Sequence, residues 1–256
     1  MKNFLSPEAN RLAPYTPGEQ PRDQQYVKLN TNESPFPPSR RVLKALSRAE
    51  LLKLNLYSDP ACGQLNAAFA DVTYSFYEAQ AALFGLEARV IPLREDFTLN
   101  VDDYMGFPGT VVIANPNAPT GIAVPREDIQ RLLEADPNRV VIVDEAYVDF
   151  GGESCVPMIF RYDNLLVTQT MSKSRQLAGG RVGFALGSEA LIQALNRVKY
   201  SFNPYNVNRL SLIAGTAAME DEAYFQSCCE TIRENRAWLT EELEGLGFTV
   251  LPSSAN

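Results

Sequence analysis

The chain has 256 residues, 45% of them apolar and 13 of them Phe, enough for a sizeable core and too apolar for a disordered chain. Its formal net charge of −8, without any Lys/Arg cluster, is the wrong balance for a protein that works on phosphate backbones. It contains no histidine, which excludes Ser-His-Asp and Cys-His catalysis as well as histidine-held metals.

Residues 1–40 are rich in proline and polar side chains (LAPYTPGEQP, NTNESPFPPSR), which suits an extended arm. The arm lacks a signal-peptide pattern and no apolar run is long enough to span a membrane, so a cytoplasmic protein is expected. Helical spacing over Ser39–Leu54 ends at the turn Tyr57-Ser58-Asp59-Pro60. Strand-like runs follow at Ala88–Leu93, Thr110–Ala114, Val140–Val143, Leu165–Thr168 and Val182–Leu186. They are short, mostly β-branched and unalternated, as expected for strands buried on both faces. Between them Arg126–Glu134 reads as a helix with Ile129, Leu132 and Leu133 on one face. Ser188 can cap another helix through Lys199, with Leu191, Ile192, Leu195 and Val198 inward. After about residue 207 the pattern is helical, with one long amphipathic stretch over Glu220–Leu246 and a short strand over Phe248–Leu251. Alternating strands and helices predict an α/β fold with a mainly parallel sheet and helices on both faces. The cysteines, Cys62, Cys155, Cys228 and Cys229, have no metal-ligand spacing and are expected to be reduced.

In open α/β sheets ligands bind beyond the carboxyl ends of the strands. Three runs end there in reactive groups. Val140–Val143 leads into Asp144-Glu145-Ala146-Tyr147, Thr110–Ala114 into Asn115-Pro116-Asn117-Ala118-Pro119-Thr120-Gly121, and Leu165–Thr168 into Gln169-Thr170-Met171-Ser172-Lys173. Each has an ordinary reading: Asp144 as a cap, Lys173 as a solvated lysine, Arg181 as a surface ion-pair partner, the Asn-Pro segment as a turn. Their occurrence together, each at a strand end, points instead to one site. A lysine with an acid on a neighbouring strand, and a cation with hydroxyls nearby, suits pyridoxal phosphate. That cofactor needs an amine for its carbonyl, a carboxylate against its ring nitrogen, and cations with hydroxyls around its phosphate. The acid works by raising the pyridine pKa.

The segments NPNAPTG, VIVDEAYVDF and SKSRQLAGGRVGFALG, with LNTNESPFPP and NLYSDP upstream and SFNPYNVNRL downstream, resemble the pyridoxal-phosphate aminotransferases of fold type I, and among them the histidinol-phosphate aminotransferases. The resemblance implies a three-layer α/β/α large domain over 41–220, an arm over 1–40 and the start of a small domain over 221–256. It implies transamination between L-histidinol phosphate and 2-oxoglutarate in histidine biosynthesis, with related decarboxylases, aromatic aminotransferases or a shortened non-catalytic paralogue as alternatives. Lys173 would carry the cofactor and move the proton. Asp144 would face the ring nitrogen, with Tyr147 and Asn117 on the ring oxygen. Tyr74 would stack on the ring, and Thr170, Ser172 and Arg181 would hold the phosphate. Tyr15 and Asn32 would lie near substrate, and Tyr57 would reach a partner's site, which implies a homodimer. Several departures are visible: relatives carry a glycine-rich stretch before the segment that begins at Asp71, a second Asn where this chain has Ala118, a leucine where it has Gly180 and SYPLDRL where it has NPYNVNRL, and they are expected to continue past SSAN into a small domain.

Overall fold

Three β-branched runs lie side by side at the centre of the sheet: β3 (Thr110–Ala114), β4 (Val141–Asp144) and β5 (Leu165–Thr170). The computed structural model describes residues 66–256. In that range β1 (Asn66–Ala70), β2 (Glu87–Ile91) and β6 (Gly183–Gly187) complete a six-stranded sheet of order β2-β1-β3-β4-β5-β6. All neighbours pair in parallel except β5 and β6, which run antiparallel. The register sets Asp144 beside Ala114 on one strand and Thr168 on the other, so β3 and β4 end level with each other and two residues before the end of β5.

Alternate residues of the central strands carry the core. Val111, Val141, Val143, Leu165 and Val167 have no exposed surface, whereas Val112 and Ile142, one residue out of phase, stay half-buried. Each fully buried side chain of this size contributes ~1.5–3 kcal/mol by leaving water. The expectation of burial on both faces is therefore corrected for β3 and β4 among the described residues. The covered face packs against α2 (Arg126–Ala135), whose Ile129, Leu132 and Leu133 recur at helical spacing and join the same cluster. Pro125 precedes α2, and Glu127 and Asp128 in its first turn suit the positive helix end.

The other helices are α1 (Phe76–Leu83), α3 (Glu189–Phe202), α4 (Arg209–Glu220) and α5 (Glu222–Gly245). Ser188 caps α3 as expected, its hydroxyl accepting from the Leu191 amide. The expected inward face is corrected: Leu195 and Val198 are 42% and 47% exposed, since no described element covers them. Asp221 separates α4 from α5. Small residues of α4 (Ala214, Ala217, Ala218) pack on Met171 and Leu177, while Phe225, Cys229 and Ile232 of α5 pack on Tyr147 and Phe150. Both helices thus support the loops that follow β4 and β5.

Phe248–Leu251 is not a strand. Gly247 turns the chain at φ +88°, and the segment runs without sheet pairing to the turn after β3. There the Ser254 amide donates to the Gly121 carbonyl at 2.7 Å. Gly121, at φ +73°, passes so close to Ser253 that a Cβ would collide with it. Among the described residues no helix is long and apolar enough to cross a membrane, and no three metal-ligating side chains cluster. The helix expected over Ser39–Leu54, the arm and Cys62 lie outside the described residues.

Candidate active site

The carboxyl ends of β1, β3, β4 and β5 open on a cavity of 530 Å³, large enough for a cofactor-sized molecule. Its walls follow from strand alternation and three tight loops. At the end of β4, Asp144 faces the cavity while Glu145 turns inward and is 2% exposed. Glu145 accepts from the Cys155 amide, from Ser154 Oγ at 2.7 Å and from Gln169 Nε2 at 2.8 Å. Burial pushes its carboxyl up, and the three donors oppose that shift. This network locks the strand end that presents Asp144. Tyr147, two residues on, is 9% exposed, lines the cavity and packs on Phe150 and Phe225.

After β5 the chain makes a compact loop that carries Lys173. The Leu177 amide closes it by donating to the Met171 carbonyl at 2.9 Å, Gln176 takes φ +54°, and Ser174 donates to the Asp149 carboxylate. Arg175 fastens the loop to the helices: its guanidinium lies 3.5 Å from the Phe225 ring centroid and donates to Ala218 O and Glu222. Lys173 Nζ projects into the cavity, 5.3 Å from the Tyr147 ring centroid.

A third group sits at the other end. Thr170 Oγ1 accepts from the Ser172 amide and lies 2.9 Å from Ser172 Oγ. Arg181 follows Gly179 and Gly180 in the left-handed region at φ +53°, with its guanidinium donating to Ala178 O. Ser211 of α4 holds this turn through the Gly180 carbonyl at 2.6 Å.

Seven of the sequence-expected residues therefore line one cavity: Asp144, Tyr147, Tyr74, Thr170, Ser172, Lys173 and Arg181. Asn117 stands behind its wall. Its amide donates to the Val72 carbonyl at 2.9 Å and to Thr120, and it accepts from Thr73 Oγ1 at 2.7 Å. Tyr15, Asn32 and Tyr57 lie outside the described residues. Three lining residues went unread in the sequence: Thr73, Ser75 and Tyr77. Tyr77 OH donates to Asp144 Oδ2 at 2.6 Å, and burial together with that carboxylate pushes the phenol far above its usual range. The available signal was Ser75-Phe76-Tyr77-Glu78, a capping-box pattern that marks the start of α1, although Ser75 makes no side-chain cap bond.

An amine, a carboxylate and a phenol at one end, with a guanidinium and two hydroxyls at the other, form a donor set that fits a ring bearing a carbonyl, a basic nitrogen and a phosphate.

Residues 61–256 match the aminotransferase class I and II family. The whole chain aligns, at 47% identity, with 83% of histidinol-phosphate aminotransferase 2 from Dechloromonas aromatica (strain RCB). At 47% identity it also aligns with 82% of the histidinol-phosphate aminotransferase of Acetobacter pasteurianus. The first alignment runs to 298 positions against 256 residues, so at least 42 positions of that relative face no residue here. The crystal structure of histidinol-phosphate aminotransferase from Sinorhizobium meliloti in complex with pyridoxal-5'-phosphate superposes with a TM-score of 0.76. That match is 20% identical over 88% of this chain and 73% of that one, and establishes a shared fold.

Proposed function

The chain belongs to the class I and II aminotransferase family, and from that premise we propose that it transfers the amino group of L-histidinol phosphate to 2-oxoglutarate in histidine biosynthesis. Its cofactor is pyridoxal 5'-phosphate. The observation that carries the reading is the convergence of Lys173, Asp144 and Arg181 on one cavity at the strand ends.

When bound, the cofactor would supply an electron-withdrawing ring for the substrate carbon that gives up its proton. Lys173 would hold the cofactor carbonyl, and its amine would take and return the substrate proton. Asp144 keeps the ring nitrogen protonated, because a facing negative charge favours the cation. Tyr147 donates to the ring oxygen, with Asn117 bracing the same side through its bonds to Val72 and Thr73. Tyr74, 42% exposed on the cavity rim, offers its ring face for stacking. Arg181, Ser172 and Thr170 hold the phosphate.

The proposal assigns Tyr15 and Asn32, outside the described residues, to the substrate. The proposal also gives Tyr57, outside the described residues, to the site of a second copy, with a homodimer as the working form and the cytoplasm as the place of action. In this reading 1–40 is an arm, 41–220 the cofactor-binding domain and 221–256 the beginning of a small domain.

The test is turnover of a donor panel by the purified chain with added pyridoxal phosphate and 2-oxoglutarate. L-histidinol phosphate should give the highest kcat/KM, ahead of O-phosphothreonine and phenylalanine. A higher value for another donor would reassign the substrate, and no turnover of any donor would remove the enzymatic reading.

A further inference from the structure

We propose that Tyr77 is a positioning residue for this reaction, fixing through its hydroxyl the carboxylate of Asp144 that faces the cofactor's ring nitrogen. The proposal rests on the aminotransferase reading and adds to it a residue three positions beyond Tyr74, to which the resemblance assigned no role.

The geometry is direct. Tyr77 OH lies 2.6 Å from Asp144 Oδ2, a bond that joins residues 67 apart in sequence and ties α1 to the end of β4. Both side chains line the same cavity. The Tyr77 ring is fixed from two sides, with Phe69 of β1 at 6.1 Å between centroids and Tyr74 edge-on at 5.6 Å. Its hydroxyl therefore reaches Asp144 from a set direction. Burial and the neighbouring negative charge keep the phenol protonated, so it acts towards Asp144 as a donor only.

Two consequences follow for the chemistry. A charge-assisted hydrogen bond on one oxygen restricts rotation of the carboxylate, which leaves a defined oxygen for the ring nitrogen. The same bond holds the carboxylate's charge at a set place beside the ring nitrogen, and a facing negative charge is what favours the protonated ring.

A purely structural role predicts something else. The phenol ring also packs α1 onto β1, and loss of packing would lower stability without changing the cofactor's titration. Tyr77→Phe keeps the ring and removes only the donor. Relative to wild type it should lower kcat with L-histidinol phosphate about tenfold, raise the dissociation constant of pyridoxal phosphate by a similar factor, and leave KM for the donor within about twofold. The pH midpoint of the bound cofactor's visible band should move, while the melting temperature of the cofactor-free protein stays near wild type. In an Asp144→Asn background the same change should alter cofactor affinity by less than about twofold, because its partner is already gone.

An unchanged pH midpoint and affinity in Tyr77→Phe would overturn the proposal, as would an affinity loss of equal size in the Asp144→Asn background. A Tyr77→Phe protein that fails to fold would assign the hydroxyl to stability and overturn it too. A wild-type protein that acquires no visible band with pyridoxal phosphate would instead sink the aminotransferase reading, and this proposal with it.

Discussion

At one end of the cavity, Asp144 and Tyr147 stand on the carboxyl end of a strand whose Val141 and Val143 are wholly buried, and Glu145 between them is locked by three donors. At the other end Arg181 is exposed, on a left-handed turn after two glycines, and its neighbours Thr170 and Ser172 are half-buried hydroxyls 2.9 Å apart. The difference matches what each end is asked to hold. Proton and electron movement around a ring tolerates little misplacement, so its groups are mounted on the core. A phosphate is a diffuse charge that several donors on loops can satisfy. Damage at the two ends should therefore appear in different observables.

The largest effect belongs to the ring end. Lys173→Ala removes both the anchor and the group that moves the proton, and kcat should fall by about 10³-fold or more. Borohydride should then no longer fix the cofactor to the chain, as read by the mass of the intact protein. Retained fixation would mean that another amine is the anchor and that the cavity has been read from the wrong wall.

Arg181→Gln tests the opposite end and should split the constants the other way. Loss of one charge-assisted bond should weaken cofactor binding about 10- to 100-fold, while kcat at saturating cofactor stays within about threefold of wild type. The wild-type affinity should also fall with added salt more steeply than that of the variant, since the lost contact is an exposed charge. Equal losses in affinity and kcat would show that Arg181 orients the ring as well, and the contrast between the ends would dissolve.

The same contrast explains what was legible in the sequence. β3, β4 and β5 announce themselves as β-branched runs that stop at Asn115, Asp144 and Thr170, so the ring-end groups could be named from strand ends alone. Asn-Ala-Ala-Phe-Ala of β1 contains no β-branched residue and three alanines, which favour helix, so its place beside β3 comes from pairing rather than propensity. Tyr77 was invisible for another reason: its partner is 67 residues away, and no local pattern reports a contact between a flanking helix and a central strand. The false strand at Phe248–Leu251 had the right composition, but no neighbouring strand in the described residues offers its edge. Leu195 and Val198 kept the helical period that the sequence showed, yet period alone does not supply the surface that would cover them.

The smallest expected effect is a null one, and it probes how tightly the ring end is closed. Cys155 lies directly behind Glu145, to which its backbone amide donates, and burial pushes its thiol up to about 12. Burial likewise lifts Cys229 to about 11 and raises Cys228. Because the thiolate is the reactive form, a raised pKa means that at pH 8 only about 10⁻⁴ of a Cys155 population could react even if reagent reached it. Reactivity would grow as pH rises towards the thiol pKa, not as it falls. Native protein treated with iodoacetamide at pH 8 should thus leave Cys155, Cys228 and Cys229 unmodified in a peptide mass map, and unfolding in denaturant should expose all three. Arg181→Gln should not change that protection, because the phosphate end shares no packing with Cys155. Labelling of Cys155 in the folded wild-type protein would mean that the wall behind Asp144 opens, and the ring end would then be no more rigid than the loop that carries Arg181.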